Sequence, residues 1–205
     1  MTDEGVRALH WDLVYETREA SEVSWYQPFP QVSMELIGEL DIGRDIAVID
    51  VGSGESTLVD ELAGGGFTDV TVLDISAVAL AESRRRVVDE RVSWLEVDLL
   101  AWRPERHYGL WHDRAVFHFL IDRADRAAYV DVLRAATGPG SAVIIATFSP
   151  DGPESCSGLP VARYSADALA ATLGDGFEVV AARYERHTTP AGDVQPFTWV
   201  AGRFR

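Results

Sequence analysis

Ile46-Ala47-Val48-Ile49-Asp50-Val51-Gly52-Ser53-Gly54-Glu55-Ser56-Thr57 is the stretch from which the architecture of this chain is worked outward. Six residues, apolar apart from Asp50, run into two glycines one residue apart, and a helix-compatible segment, Ser56 to Ala63, follows. A short apolar run closed by glycines predicts a buried parallel strand feeding a tight turn. Gly52 and Gly54 permit a sharp turn and a close approach of backbone to a ligand, which a Cβ would obstruct. A second apolar run, Val70-Thr71-Val72-Leu73, ends in Asp74, about twenty residues on, the interval at which a ribose-binding acid follows a glycine turn. A carboxylate at that strand end is placed to accept both hydroxyls of a ribose. Glycine turn and acid together predict a nucleoside-containing cofactor lying across the carboxyl ends of a parallel sheet.

The rest of the chain repeats the alternation. Ser76 can cap a helix from Ala77 to Asp89, Val92 to Val97 reads as a third strand ending at Asp98, and Tyr108 to Asp113 as a fourth. A helix from about Arg123 to Thr137 stops at Gly138-Pro139-Gly140. Ser141 to Phe148 is the most apolar run and so a central strand, and a helix near Ala166 to Leu173 precedes two runs, Phe177 to Tyr184 and Phe197 to Phe204. These last two lie too close together for a crossover helix and should pair as an antiparallel hairpin, with His187 in its exposed turn. Ahead of the first strand, the spacing of Trp11, Leu13 and Val14 is helix-like, and Trp25-Tyr26-Gln27-Pro28-Phe29-Pro30 is a rigid aromatic turn. Ser33 is positioned to cap a helix through Leu40, with Met34, Ile37 and Leu40 on one face.

Two readings of the glycine turn compete. A dinucleotide fingerprint wants a third glycine where Thr57 stands and no acid in the strand. An NAD-type or non-catalytic nucleotide-binding module is therefore the weaker reading. Length and charge set outer bounds. At 205 residues the chain suits one domain. A formal charge of −15 argues against nucleic acid as a partner, since phosphate binding needs clustered Lys and Arg. No apolar run approaches a membrane span, the first ten residues lack a secretory layout, and Cys156 is the sole cysteine. Cytoplasm is the expected compartment, with no membrane partner. His107, His112 and His118 have no metal-ligand spacing, so no metal is expected.

Asp50-Val51-Gly52-Ser53-Gly54, with Asp74 downstream, resembles the first motif of the class I S-adenosylmethionine-dependent methyltransferases. The element order resembles that family over the whole chain, its motifs over roughly residues 46 to 148. The resemblance implies an α/β, Rossmann-like doubly wound sheet of seven strands, mostly parallel with a C-terminal antiparallel hairpin. It implies one domain over 1–205, with 1–45 a cap over the cofactor and acceptor site and 46–205 the core. S-adenosyl-L-methionine is the cofactor it implies. Gly52 and Gly54 would form the cofactor turn, Asp50 would help hold its amino group, and Asp74 would take the ribose. Ile75 would flank the adenine, Asp98 would receive the adenine amino group, and Leu99 would lie beside it. Asp113 to Leu120, Arg114 included, would pass under the methionine part. Gly109 departs from the pattern, where an acid commonly opens the strand after an aromatic. Asp113-Arg114 with Arg126-x-x-Tyr129 looks like a thiopurine- and thiol-methylating branch, while the Asp-basic pair also looks like a branch that methylates protein lysines.

Methyl transfer needs alignment more than a catalytic triad, and positioning supplies about 7–11 kcal/mol in favourable cases. Asp113, ending a strand at the ligand-binding edge, is the first candidate for the active centre; its alternative is a salt bridge to Arg114 or Arg126. His118 is the second, to contact the cofactor or accept a proton; its alternative is a hydrogen-bonded histidine packed between Phe117 and Phe119. Trp25 and Tyr26 can close over a sulfonium or an apolar acceptor, or simply pack. Glu154 to Pro160, Cys156 among them, should form a wall of the acceptor site, with Cys156 having no part as a nucleophile. The expected acceptor is a small thiol or amine, with a protein lysine as the alternative.

Overall fold

The computed structural model describes residues 3–205. Its centre is β1 (Val48–Val51), buried along its length. β2 (Val70–Asp74) lies parallel to it on one side and β4 (Leu110–Arg114) on the other, so that Val48 faces both Val70 and Leu110. β3 (Val92–Glu96) extends the sheet beyond β2, and β5 (Ala142–Phe148) beyond β4, both in parallel. β8 (Phe177–Thr188) and β9 (Val194–Phe204) form the antiparallel hairpin. β9 inserts against β5, giving the order β3-β2-β1-β4-β5-β9-β8. This is the seven-stranded, mostly parallel sheet that the element order implies. The order reverses between β1 and β4, and at such a switch point the strand ends leave a crevice for a ligand.

Helices α1 (Asp3–Thr17), α2 (Gln31–Glu39), α3 (Leu58–Gly64), α4 (Ala77–Arg86), α5 (Arg123–Ala136) and α6 (Ala166–Leu173) surround the sheet. Side chains alternate across a strand, and each sheet face has its own core. Ala142, Ile144, Ala146 and Phe148 of β5 join Val48, Leu110 and the α2 residues Leu36 and Ile37. Val143 and Ile145 join Ile49, Trp111 and the α5 residues Tyr129 and Leu133 on the other face. In β4 the same parity sends Leu110, His112 and Arg114 to one side, and Trp111 and Asp113 to the other.

Several local boundaries differ from the sequence pattern. α4 ends at Arg86 rather than Asp89, because Val87 is extended and Val88 is 92% exposed; two successive β-branched residues favour that exit. α2 begins at Gln31, behind Pro30, so Ser33 lies inside the helix and not at its cap. Its hydroxyl instead makes a buried bond of 2.9 Å to His112 Nε2. The terminal hairpin runs further than its apolar residues suggested. His187 is therefore in β8, buried, and donates from Nε2 to the Ser24 carbonyl at 2.7 Å, and is not in an exposed turn. The loop after β5 contains a small hairpin of β6 (Ser155–Cys156) and β7 (Leu159–Pro160). Gly109 has a packing cause, since a Cβ there would stand 2.3 Å from Ile46 Cγ2.

On the α5 face, the Tyr129 hydroxyl donates to Asp113 Oδ2 at 2.6 Å and accepts from Trp111 Nε1 at 3.0 Å, all three buried. Replacing Tyr129 by Phe leaves a buried carboxylate and a buried indole N–H short of a partner. Urea unfolding of Tyr129→Phe should show a loss of about 1–3 kcal/mol.

Candidate functional site

The crevice at the switch point holds a partly open cavity of about 170 Å³. Its floor is the glycine turn and the ends of β1, β2 and β4. Its walls come from α1, the segment around Trp25, and the aromatic residues Phe119, Phe148 and Phe197.

At the glycine turn, Gly52 and Gly54 adopt φ of 59° and 54°, which favour glycine. The backbone of the turn is tied to β2: Gly52 N–H donates to the Leu73 carbonyl at 2.7 Å, and Gly54 N–H to Asp74 Oδ2 at 2.7 Å. The space beside each glycine is filled by the protein itself. A Cβ on Gly52 would meet Val116 Cγ2, and one on Gly54 would meet the Tyr15 hydroxyl. The Cβ direction at each glycine thus points into side chains of the β4 turn and of α1, while Gly52 and Ser53 also line the cavity.

Asp74 lines the cavity and also accepts from Ser76 N–H at 2.8 Å. Burial raises its carboxyl to about 6, against the opposing pull of the Ser76 and Gly54 amides. The Ile75 amide acts on it as well, and its oxygens keep acceptor capacity for a further donor. Asp50 lines the cavity too; its Oδ1 accepts from His112 Nδ1 at 2.6 Å, and its buried Oδ2 has no partner. His112 in turn accepts from Ser33, so a Ser-His-Asp chain crosses the floor. Ser33 is within α2 and outside the cavity lining, so the chain holds Asp50 in place. Ile75 and Leu99 line the wall. Asp98 lines it as well, but it already has partners: Leu100 N–H donates to Oδ1 at 2.9 Å, and Arg7 of α1 pairs with Oδ2 through Nε at 3.1 Å and through Nη2. The Tyr15 hydroxyl sits deep in the same wall, kept protonated by burial and by the charge of Asp74.

Asp113 is not at the ligand-binding edge where the sequence pattern puts it. It faces away from the cavity, toward α5, and its carboxylate accepts from Tyr129 and from the N–H groups of Val116 at 2.9 Å and Phe117 at 3.2 Å. Burial raises it to about 6, offset in part by Tyr129. It forms no ion pair with Arg114 or Arg126 and is a clasp for the turn after β4. That turn contains Ala115 at φ 74°, a conformation L residues rarely adopt, and the clasp fixes it. Arg114, Ala115, Val116 and His118 all line the cavity as a result.

His118 is buried, and burial and then the nearby Arg114 charge push it down to about 3. Its Nδ1 accepts from Phe148 N–H at 3.4 Å. The neutral ring therefore has its proton on Nε2, which has no partner. Such a ring presents a donor to the cavity, not the lone pair of a base. Arg114 donates from Nη1 to the Trp25 carbonyl at 2.9 Å and lies over the Phe197 ring, 4.8 Å from its centroid. Phe197 belongs to β9, two strands away, so Arg114 points away from the glycine turn. Trp25 and Tyr26 line the cavity; Trp25 meets Trp11 and Tyr15 edge-on at 6.1 and 6.3 Å. Cys156 also lines it, buried, with its thiol pushed up to about 11 by burial. Glu154 does not line the cavity: it is on the outside of the same loop, paired with Arg163 at 2.9 Å.

Residues 48–140 match a family described as "Methyltransferase domain". That match covers less than half of the chain, and the fold of the whole chain is the one seen in S-adenosylmethionine-dependent methyltransferases. Among solved structures, a SAM-dependent methyltransferase from Anabaena variabilis has a TM-score of 0.78 at 16% identity, over 100% of this chain and 96% of that one. The N-methyltransferase NodS from Bradyrhizobium japonicum, in complex with S-adenosyl-L-homocysteine, has a TM-score of 0.73 at 14% identity, over 95% and 98%. A human relative, EEF1A lysine methyltransferase 2, is 26% identical over 126 residues, which is 56% of this chain and 50% of that protein. The chain thus matches about half the length of that curated relative.

Several residues that line the cavity carry no mark in the sequence. Arg7, Trp11 and Tyr15 come from a helix far upstream, and Phe148 and Phe197 read as ordinary core. His112 was detectable, being a polar residue inside an apolar strand beside Asp113. Among the described residues, no three His, Cys, Asp or Glu side chains are grouped to hold a metal ion. No helix there is long and apolar enough to cross a membrane. The raised, buried thiol makes one clear forecast. A thiol-reactive dye at pH 8 should label Cys156 at least tenfold more slowly in the folded protein than in urea, since the thiolate is the reactive form.

Proposed function

We propose that this protein transfers the methyl group of S-adenosyl-L-methionine to a small nucleophile, a thiol or an amine. The observation that carries this reading is the polarity of the cavity. Carboxylate acceptors stand at the glycine-turn end, Asp50 Oδ2 without a partner and Asp74 with spare lone pairs, and buried aromatic side chains enclose the other end. A nucleoside that bears an ammonium and two ribose hydroxyls supplies the donors the first end lacks. When bound, the cofactor would supply a methyl group on a positively charged sulfur, a good leaving group for displacement by the lone pair of the acceptor.

The residues act by holding and by excluding. Asp50, fixed by His112, holds the ammonium, and Asp74 holds the ribose. Leu99 and Ile75 flank the base, and Asp98 reaches its amino group once Arg7 yields. Trp25 and Tyr26, in the segment 1–45 that caps the site, exclude water and present aromatic faces to positive charge, an attraction worth about 0.5–2 kcal/mol. His118 offers a donor and no base, so the acceptor would enter already deprotonated, its proton left in solvent outside the site. Enclosure by Trp11, Trp25 and Phe119 supports a small acceptor over a polypeptide. A protein lysine is the second reading, supported by the human lysine methyltransferase relative and by the acidic surface. We place the protein in the cytoplasm.

Incubation with a methyl-labelled donor should label small thiols or amines and leave protein extract unlabelled. Label confined to protein lysines would establish the second reading. Calorimetry should show binding of S-adenosylhomocysteine and none of NAD; the reverse would overturn the enzyme assignment. The ribose contact requires Asp74 ionised, and its carboxyl sits at about 6. Affinity for S-adenosylhomocysteine should therefore rise with pH, weaker by about tenfold at pH 5 than at pH 7, following the ionised fraction. Asp74→Asn should be weak at both values and flat between them.

A further inference from the structure

Arg114 is a buried cation whose charge has no direct partner. Nη1 is taken by the Trp25 carbonyl, while Nε and Nη2 are buried and unpartnered. Among the described residues, no carboxylate forms an ion pair with it. Glu185 and Asp50 act on it through space, yet the oxygens of Glu185 accept from Gln27 Nε2 at 2.9 Å and Trp199 Nε1 at 2.7 Å, and Asp50 Oδ1 is bound to His112. Burying a guanidinium in this way is unfavourable unless an anion completes it. Nε and Nη2 form one edge of the guanidinium, whose two parallel N–H bonds match the two oxygens of a carboxylate. The Nε2–H of His118, buried and also unpartnered, lines the same cavity. The surrounding walls, Trp25, Phe148 and Phe197, are aromatic.

We propose that the methyl acceptor is a small carboxylic acid with an apolar body, its carboxylate bound side-on by Arg114 Nε and Nη2 with His118 Nε2–H as a third donor. The inference rests on the methyltransferase reading of the cavity and deepens it. Arg114 selects the acceptor, because it extends over Phe197 of β9, away from the glycine turn where the cofactor is held. Trp25 couples the two: its carbonyl orients the guanidinium while its ring closes the cavity. The role of the histidine is to donate, and so a proton-accepting role is not needed there.

The test is calorimetry on the protein saturated with S-adenosylhomocysteine, using matched acids and amides: benzoate with benzamide, 4-aminobenzoate with 4-aminobenzamide, 3-mercaptopropionate with 3-mercaptopropionamide. In at least one pair the acid should bind at least tenfold more tightly than the amide. Arg114→Met should bring that acid to the level of its amide while affinity for S-adenosylhomocysteine stays within about twofold. Arg114→Lys, which keeps the charge and loses the fork, should fall between. Three results would overturn the proposal: no pair with a preference for the acid, a preference that survives in Arg114→Met, or a tenfold loss of S-adenosylhomocysteine affinity in that variant, which would make the cofactor's own carboxylate the anion. Failure of the wild-type protein to bind S-adenosylhomocysteine is a separate result, and it would remove the methyltransferase reading along with this one.

Discussion

The floor of the cavity depends on one buried hydrogen bond, from His112 Nδ1 to Asp50 Oδ1 at 2.6 Å. Asp50 sits in the central strand, where a charged group without partners would be strongly unfavourable. His112 on β4 meets this need, and Ser33 on α2 fixes the imidazole from its far side, so that three elements converge on one carboxylate. Only one oxygen is satisfied by the protein. The fold can therefore bury the acid and still leave it a free acceptor at the switch point between β1 and β4.

Strand parity then divides the labour in β4. Odd residues turn toward α5, where Trp111 and Asp113 meet Tyr129; even residues turn toward the cavity, where His112 and Arg114 stand. Asp113 still matters to the site, because its bonds to the amides of Val116 and Phe117 hold the turn that delivers Arg114 and His118. The cavity consequently has acceptors at one end and donors at the other, a separation set by a single strand and the bend after it.

The sheet was legible because its central parallel strands are mostly short apolar runs between glycine, serine or aspartate signals, as Val70 to Asp74 and Ala142 to Phe148 illustrate. Asp50, Gly52, Gly54 and Asp74 stood out for the same reason: polar or flexible residues at the ends of apolar strands. The facing of Asp113 was not legible. A strand buried on both faces shows no polar-apolar alternation to reveal its sides, and His112, Asp113 and Arg114 are equally conspicuous in sequence. Glu154 and Cys156 share a loop, yet only the thiol turns inward, which the tight hairpin Ser155–Cys156 to Leu159–Pro160 decides. Tyr15 meets Gly54 through tertiary packing alone, with no local pattern to announce it.

α1 is fastened across the cavity at three places: Arg7 on Asp98, Asp12 on the Ser76 hydroxyl at 2.7 Å, and the Tyr15 hydroxyl against Gly54. Two of these anchor points, Asp98 and Gly54, belong to the surface assigned to the nucleoside. Helix docking and ligand docking therefore draw on shared groups and oppose each other. On the proposed assignment, a nucleoside would compete with the amino-terminal helix for these groups, and its residence time would depend on that helix as well as on the pocket beneath it.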